Sequence, residues 1–585
     1  MDPHSHAGAH EPRIRHIQVR LEVDFHRHVL VGSAVLHLER CATFTLDTRD
    51  LVIHDITRED GSAVRFELGR RDPILGQPLA VLEPVDRVRI RYETSPSASA
   101  LQWLRPEQTS GGQHPFVYSQ SQPIHARSFL PCQDTPSIRF TFEAEIVVPR
   151  PLTALMAAEP VGASIGDTHA DFRFRMPQPI PSYLVAFAVG DLVRRPLGPR
   201  SEVWAEEAVV DLAAAVLQET EGLITTAETL FGPYVWDRFD LLIMPPSFPY
   251  GGMENPRLTF VTPTSLAPDR SLVSVVAHEL AHAWTGNLVT NESAEHFWLN
   301  EGFTVYAERR IIEALHGTEE ASIQAAIGRR DLMEDIHRLE RRDPRLTCLR
   351  THLEGEDPDL VFSTVPYEKG FLFLVWLERE VGRDRFDDFL LDYIHTHRFA
   401  SISTEGFVDF LRDKLPEARE LPVDSWLFRP GLPKAVPEFA STRLDHVRSL
   451  ASALSRGQEV DQSVLSTLSG TEWQVLLHHL SPTLPSPVLA WLDEKFALSS
   501  VPNAEIRCAF LALTARSAYR ETDDAIRETL QTVGRMKFLR PLYEGLLARG
   551  PDGRKLAEGA FQAARSGYHP VAVALVEDIL GGGRS

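Results

Sequence analysis

The sequence predicts a multidomain α+β protein in three consecutive parts, and three observations carry that expectation. Period-2 alternation dominates from about residue 12 to 195, helical spacing takes over near Gly198, and no strand pattern remains beyond a Pro/Gly cluster at 430–437. A chain of 585 residues accommodates about three or four domains, each with its own core. The expected division is 1–197, mainly β; 198–435, α/β to mostly α; and 436–585, all helical.

In the first part His16–Asp24 (HIQVRLEVD), Leu30–Leu38 (LVGSAVLHL) and Arg87–Tyr92 (RVRIRY) alternate apolar and polar residues, the signature of half-buried strands. Phe140–Val148 and Tyr183–Val189 continue it. His4, His6 and His10 lie in a segment expected to be a mobile polar tail. The second part opens with a helical pattern from Glu206 to Leu230, and Phe239–Met244 reads as a short strand stopped by Pro245-Pro246. Helices are then expected over Ser271–Leu288, Glu295–Leu315, Glu319–Leu339, Gly370–Val381 and Arg385–His395. Pro430-Gly431-Leu432-Pro433 reads as a linker. Beyond it, patterns such as Trp473–Leu480 and Ala504–Ala515 predict stacked helical pairs.

A formal charge of −21 disfavours nucleic acid and anionic membranes as partners, since both select Lys/Arg clusters. Four scattered cysteines form no disulfide framework and read as reduced thiols in a cytoplasmic protein. The N-terminus has no signal-peptide pattern, and no apolar stretch approaches the ~20 residues that span a bilayer.

Residues 277–284 read Ala-His278-Glu279-Leu-Ala-His282-Ala-Trp284, an H-E-x-x-H motif in an apolar context. On a helix, i and i+4 imidazoles share one face and can share one Zn2+ ion per chain. Glu279 then points beside the metal, where a carboxylate can take a proton from water. A catalytic zinc needs a third protein ligand. Eighteen residues after His282, Glu301 falls in a second helical pattern that can return it to the two histidines. The expected site is His278, His282 and Glu301 as ligands, with Glu279 as base: a zinc hydrolase.

H-E-x-x-H, eighteen residues, then Glu301 within W-L-N-E-G resembles the M1 (gluzincin) metallopeptidases, and Gly251-Gly252-Met253-Glu254-Asn255 matches their G-x-M-E-N exopeptidase motif. Stretches 120–137 (QSQPIHARSFLPCQDTPS), 245–264, 286–291 (GNLVTN), 365–370 (VPYEKG) and 534–538 (GRMKF) are similar to the subgroup of leukotriene A4 hydrolase and aminopeptidase B. The resemblance covers nearly the whole chain. It implies a saddle-like β domain, a thermolysin-like catalytic domain and an armadillo-like helical domain.

It also implies roles. Glu254 would bind the substrate's free amine, with Gln120, Gln122, Tyr250, Gly251, Gly252 and Met253 lining the same region. Tyr367 would stabilise the oxyanion, Arg535 and Lys537 would bind a substrate carboxylate, and Asp359 would stand in the substrate pocket. Glu308 would orient a zinc histidine. Two residues depart from leukotriene A4 hydrolase: Phe362 replaces a pocket tyrosine and Phe303 a histidine. The expected activity is a monomeric zinc aminopeptidase acting on short peptides with a free N-terminus. Hydrolysis of a fatty-acid epoxide at the same metal is the alternative, and a non-catalytic scaffold the second.

Overall fold

A computed structural model describes residues 2–269, 273–359 and 363–581. The first part holds an eight-stranded sheet. Seven of its strands run in the order Glu159–Ile165, His169–Pro181, Arg139–Pro149, Ile14–Asp24, Val29–Thr48, Gln77–Glu93 and Val52–Thr57, and Phe66–Leu68 pairs with Gln77–Glu93. Ile14–Asp24 shows why this part is β: Ile17, Val19, Leu21 and Val23 are buried, and Arg20 and Glu22 between them are exposed.

A second sheet orders Leu101–Leu104, Phe116–Ser119, Phe187–Gly190 and Thr153–Met156. Its strand Phe116–Ser119 is buried throughout and delivers the chain directly to Gln120. Tyr183–Val189 differs from expectation. Ser182–Leu184 makes a 3-10 turn after Pro181, and strand resumes only at Phe187.

The N-terminal segment is not a mobile tail. His4 is 1% exposed, its Nε2 lies 3.0 Å from the Glu356 carbonyl, and its own carbonyl accepts from Arg127 at 2.7 Å. Ser5 and the His6 amide donate to Asp47 at 2.6 and 2.7 Å. Arg127 and Asp47 are fully buried charges that require partners, and the segment supplies part of them. His10 alone of the three histidines is exposed.

The second part carries a mixed five-stranded sheet in the order Leu192–Pro196, Glu202–Glu206, Asp240–Ile243, Leu258–Val261, Gly252–Met253. The long pattern from Glu206 splits into helices Glu207–Val216 and Thr220–Phe231, where the Thr220 hydroxyl donates to the Leu217 carbonyl. The motif helix is Val273–Ala281, shorter than expected; residues 271 and 272 lie outside the described residues, and turns lead from His282 through Gly286 at φ +119°. Helices Trp298–His316, Thr318–Arg342, Gly370–Val381 and Arg383–Thr396 stand where the periodicity predicts.

One continuous core runs from Ile14 to Leu427 and joins the first two parts. The third part has separate clusters, one of which takes Ile323 from helix Thr318–Arg342. It is helical throughout, and no strand follows Ile402 among the described residues. None of the described helices is long and apolar enough to cross a membrane. All four cysteines are free thiols.

Candidate metal centre and active site

The apolar helix Val273–Ala281 carries His278 on its last turn and His282 just beyond. Their Nε2 atoms lie 3.2 Å apart. Glu301, in the first turn of Trp298–His316, brings Oε2 to 3.4 Å from His278 Nε2 and 3.5 Å from His282 Nε2. A point about 2 Å from all three atoms exists, which is the zinc–ligand distance. Glu301 Oε2 is buried with no hydrogen-bond partner, the state of an atom kept for a cation.

The neighbours orient these ligands. His278 Nδ1 lies 3.1 Å from Glu308 Oε2, so Glu308 stands where an orienting partner should. His282 Nδ1 lies 3.1 Å from both the Thr285 carbonyl and the Thr304 hydroxyl. The Thr285 carbonyl accepts only from a protonated Nδ1, leaving the Nε2 lone pair for the metal. Thr285 and Thr304 carry no motif, and sequence reasoning missed them.

Charge points the same way. Burial pushes the Glu279 carboxyl well up, reinforced by Glu254, Glu301 and Glu308, with only His278 opposing. Burial opposes protonation of His278, but Glu301 and Glu308 outweigh it and raise that ring. Burial lowers His282 to about 4. Four carboxylates around two imidazoles form a buried acidic surplus that a divalent cation would balance. The donor set fits zinc.

Two pairs of glycines shape this centre. A Cβ on Gly302 would sit 2.8 Å from the Gly370 Cα, so the glycines of Asn-Glu-Gly and Glu-Lys-Gly press two helices into backbone contact. That contact sets Tyr367, in the π-helical turn Val365–Lys369, against the Glu301 helix. The Tyr367 ring stacks at 6.2 Å on His278 and meets Phe297 edge-on at 6.0 Å. Burial and the carboxylate of Glu301 raise its hydroxyl well above the usual value. At the sheet edge, a Cβ on Gly252 would fall 2.3 Å from Glu279 Oε1, and one on Gly251 3.0 Å from Arg535 Nη2.

Glu254 follows that edge strand and is 4% exposed. Gln122 Nε2 donates to it at 3.3 Å, and burial raises its carboxyl to about 7. Ligand atoms of Glu254, Glu279 and His282 all lie within 4.8 Å of one another. Gln120 donates to Met253 Sδ at 3.1 Å, and its buried carbonyl oxygen has no partner. Tyr250 meets Phe248 edge-on at 6.2 Å beside the same strand.

Asp359 pairs with His125 Nε2 at 2.7 Å. Burial pushes its carboxyl up, but His125 and Arg49 outweigh that and hold it below the usual range. His125 was not singled out in the sequence. Arg535 and Lys537 converge on a shared partner, Glu505, at 3.1 and 2.9 Å. Phe303 stacks on Tyr393 at 4.9 Å and on Trp298 at 5.8 Å, so its aromatic character serves core packing. Phe362 lies outside the described residues.

Comparison with known proteins covers nearly the whole chain. Residues 13–184 match the peptidase M1 N-terminal domain, 215–427 the peptidase family M1 domain, and 468–580 the leukotriene A4 hydrolase C-terminal domain. The chain is 39% identical to leukotriene A-4 hydrolase of Xenopus laevis, across 98% of each chain. It is 40% identical to leucine aminopeptidase 2 of Yarrowia lipolytica, across 94% of this chain and 89% of that one. A structure of yeast LTA4 hydrolase with bestatin superposes with a TM-score of 0.92 at 35% identity, covering 99% and 97% of the two chains.

Proposed function

This chain belongs to peptidase family M1 and is a zinc aminopeptidase, and from that premise we propose how its residues divide the cleavage of an N-terminal peptide bond in short peptides. Glu254 takes the substrate's ammonium, assisted by Gln122 and by the free carbonyl oxygen of Gln120. The carrying observation is the spacing of Glu254 from Glu279 and His282, with ligand atoms within 4.8 Å. An amine held on Glu254 brings only the first carbonyl of the peptide to the metal ligands.

His278, His282 and Glu301 would hold the zinc, which when bound polarises the scissile carbonyl and lowers the pKa of a water molecule. Glu279 takes the proton of the attacking water and passes it to the leaving amine. The Tyr367 hydroxyl donates to the oxyanion as it develops. Arg535, seated beside Gly251, receives the C-terminal carboxylate, with Lys537 adding charge. The test is a pair of matched tripeptides, one with its amine acetylated. The acetylated peptide should resist cleavage, and comparable turnover of both would refute the role of Glu254.

A second reading rests on Asp359, held ionised by His125, and on the relative named leukotriene A-4 hydrolase. Asp359 could guide water to an epoxide-derived carbon while Arg535 holds a fatty-acid carboxylate. Product analysis with a fatty-acid epoxide decides this, and a non-enzymatic product mixture rules it out. We propose a cytoplasmic location, which the four free thiols fit, and a monomeric state.

A further inference from the structure

Glu505 lies at the carboxylate end of the site and belongs to none of the motifs. It is 6% exposed, in the first turn of helix Ala504–Arg516, where Asn503 caps its amide. Its carboxylate accepts Arg535 Nη1 at 3.1 Å and Lys537 Nζ at 2.9–3.0 Å. Arg535 has further anchors. Nη1 also donates to the Thr264 hydroxyl at 3.2 Å, and the guanidinium lies 4.9 Å over Phe538. The adjacent Met536 amide donates to the Pro249 carbonyl at 2.9 Å. The other terminal nitrogen, Nη2, faces Gly251.

Resting on the reading of Arg535 as the receiver of the substrate carboxylate, we infer that Glu505 is a specificity-determining residue: a built-in counter-ion that restricts the Arg535–Lys537 pair to substrates bearing a single carboxylate. Two cations and one anion leave one net positive charge. A peptide C-terminus balances it. A second acid, as in a peptide ending in Glu, then meets Glu505 without compensation.

The sign follows from what holds Arg535. Thr264, Phe538 and the backbone keep it in place when Glu505 is neutralised, so the loss of negative charge outweighs the loss of order. Like charges a few ångström apart repel by an amount equal to about tenfold or more in affinity.

The experiment is steady-state kinetics of the zinc-loaded enzyme with three tripeptides: a free acid, its C-terminal amide, and a free acid ending in Glu. Glu505→Gln is expected to lower KM for the first about tenfold, to help the peptide ending in Glu more, and to leave the amide within about twofold. Glu505→Asp, which keeps the charge, should keep the wild-type ranking. An unchanged or raised KM for the free acid in Glu505→Gln, or an equal change for the amide, overturns the inference.

Arg535→Gln separates the two levels. If it leaves the acid-over-amide preference intact, the carboxylate reading of Arg535 fails and the role of Glu505 with it. If it removes that preference while Glu505→Gln changes nothing, only the inference on Glu505 falls. The wild type supplies a check that needs no variant. It should cleave a peptide ending in Gln about tenfold more efficiently than one ending in Glu, and equal efficiency overturns the inference.

Discussion

At the metal end, Glu254, Glu279, His278, His282, Glu301 and Tyr367 all come from a stretch of little more than a hundred residues, on a sheet edge, two helices and a π turn. At the end proposed for the substrate carboxylate, Arg535 reaches in from the helical third part to meet Thr264 and Gly251, with Glu505 beside it. The charge accounting also differs. The metal end crowds carboxylates around two imidazoles and is unbalanced without a cation. The other end sets one protein carboxylate against two cations and keeps one net positive charge. One end is therefore built for an all-or-none requirement and the other for graded preference.

The largest test of that contrast is Glu279→Gln. It should retain zinc, measured by atomic absorption, while kcat falls about 10³-fold or more; near-normal turnover would remove the proton-transfer role. Glu254→Gln should lower kcat/KM for free-amine peptides by about 10²-fold, because a buried ion pair to the ammonium is lost. The discrimination against acetylated peptides should shrink with it, and a loss shared equally by both substrates would make Glu254 merely structural.

The pH profile gives a smaller effect. Burial raises the Glu254 carboxyl to about 7, so it is ionised above that pH and neutral below it. A substrate α-ammonium stays charged up to about 8. The ion pair is thus lost as pH falls, and kcat/KM should drop about three- to fivefold between pH 8 and 6. Glu254→Gln should flatten this limb, and an unaltered limb assigns it to another group.

Gly302→Ala tests rigidity with the smallest change. Its Cβ would enter the Gly370 backbone, so thermal stability should fall by about 1–3 kcal/mol and activity with it. A stable, fully active variant would show that the metal end tolerates slack, erasing the contrast.

Legibility followed the same division. The cluster of His278, His282 and Glu301 was readable because a helical i, i+4 spacing and a carboxylate on a neighbouring helix are local facts. Thr285, Thr304 and His125 were not, because a threonine or a lone histidine carries no signal until a fold turns it toward a ligand or a carboxylate. Elements with strong periodicity, such as Gly370–Val381, stood where predicted. Misreadings arose where tertiary contacts decide. The apolar pattern ran on past Ala281, where the chain turns away and brings Gly286 against His282 and Asn300. The N-terminal histidines look like a tail, yet buried Arg127 and Asp47 draw His4, Ser5 and His6 into the structure.

By itself the sequence determined the three-part organisation and pointed to zinc chemistry, because the one is written in periodicity and the other in a short motif whose spacing is geometry; the free-amine role proposed for Glu254 came only from the resemblance to a family. Only the tertiary structure decided how the ends of the substrate site are balanced. Glu505 lies more than two hundred residues from Thr264 and thirty from Arg535, and its meaning comes from the buried charge it meets there. A buried ion must find its counter-ion in space, and nothing along the chain specifies which one it will be.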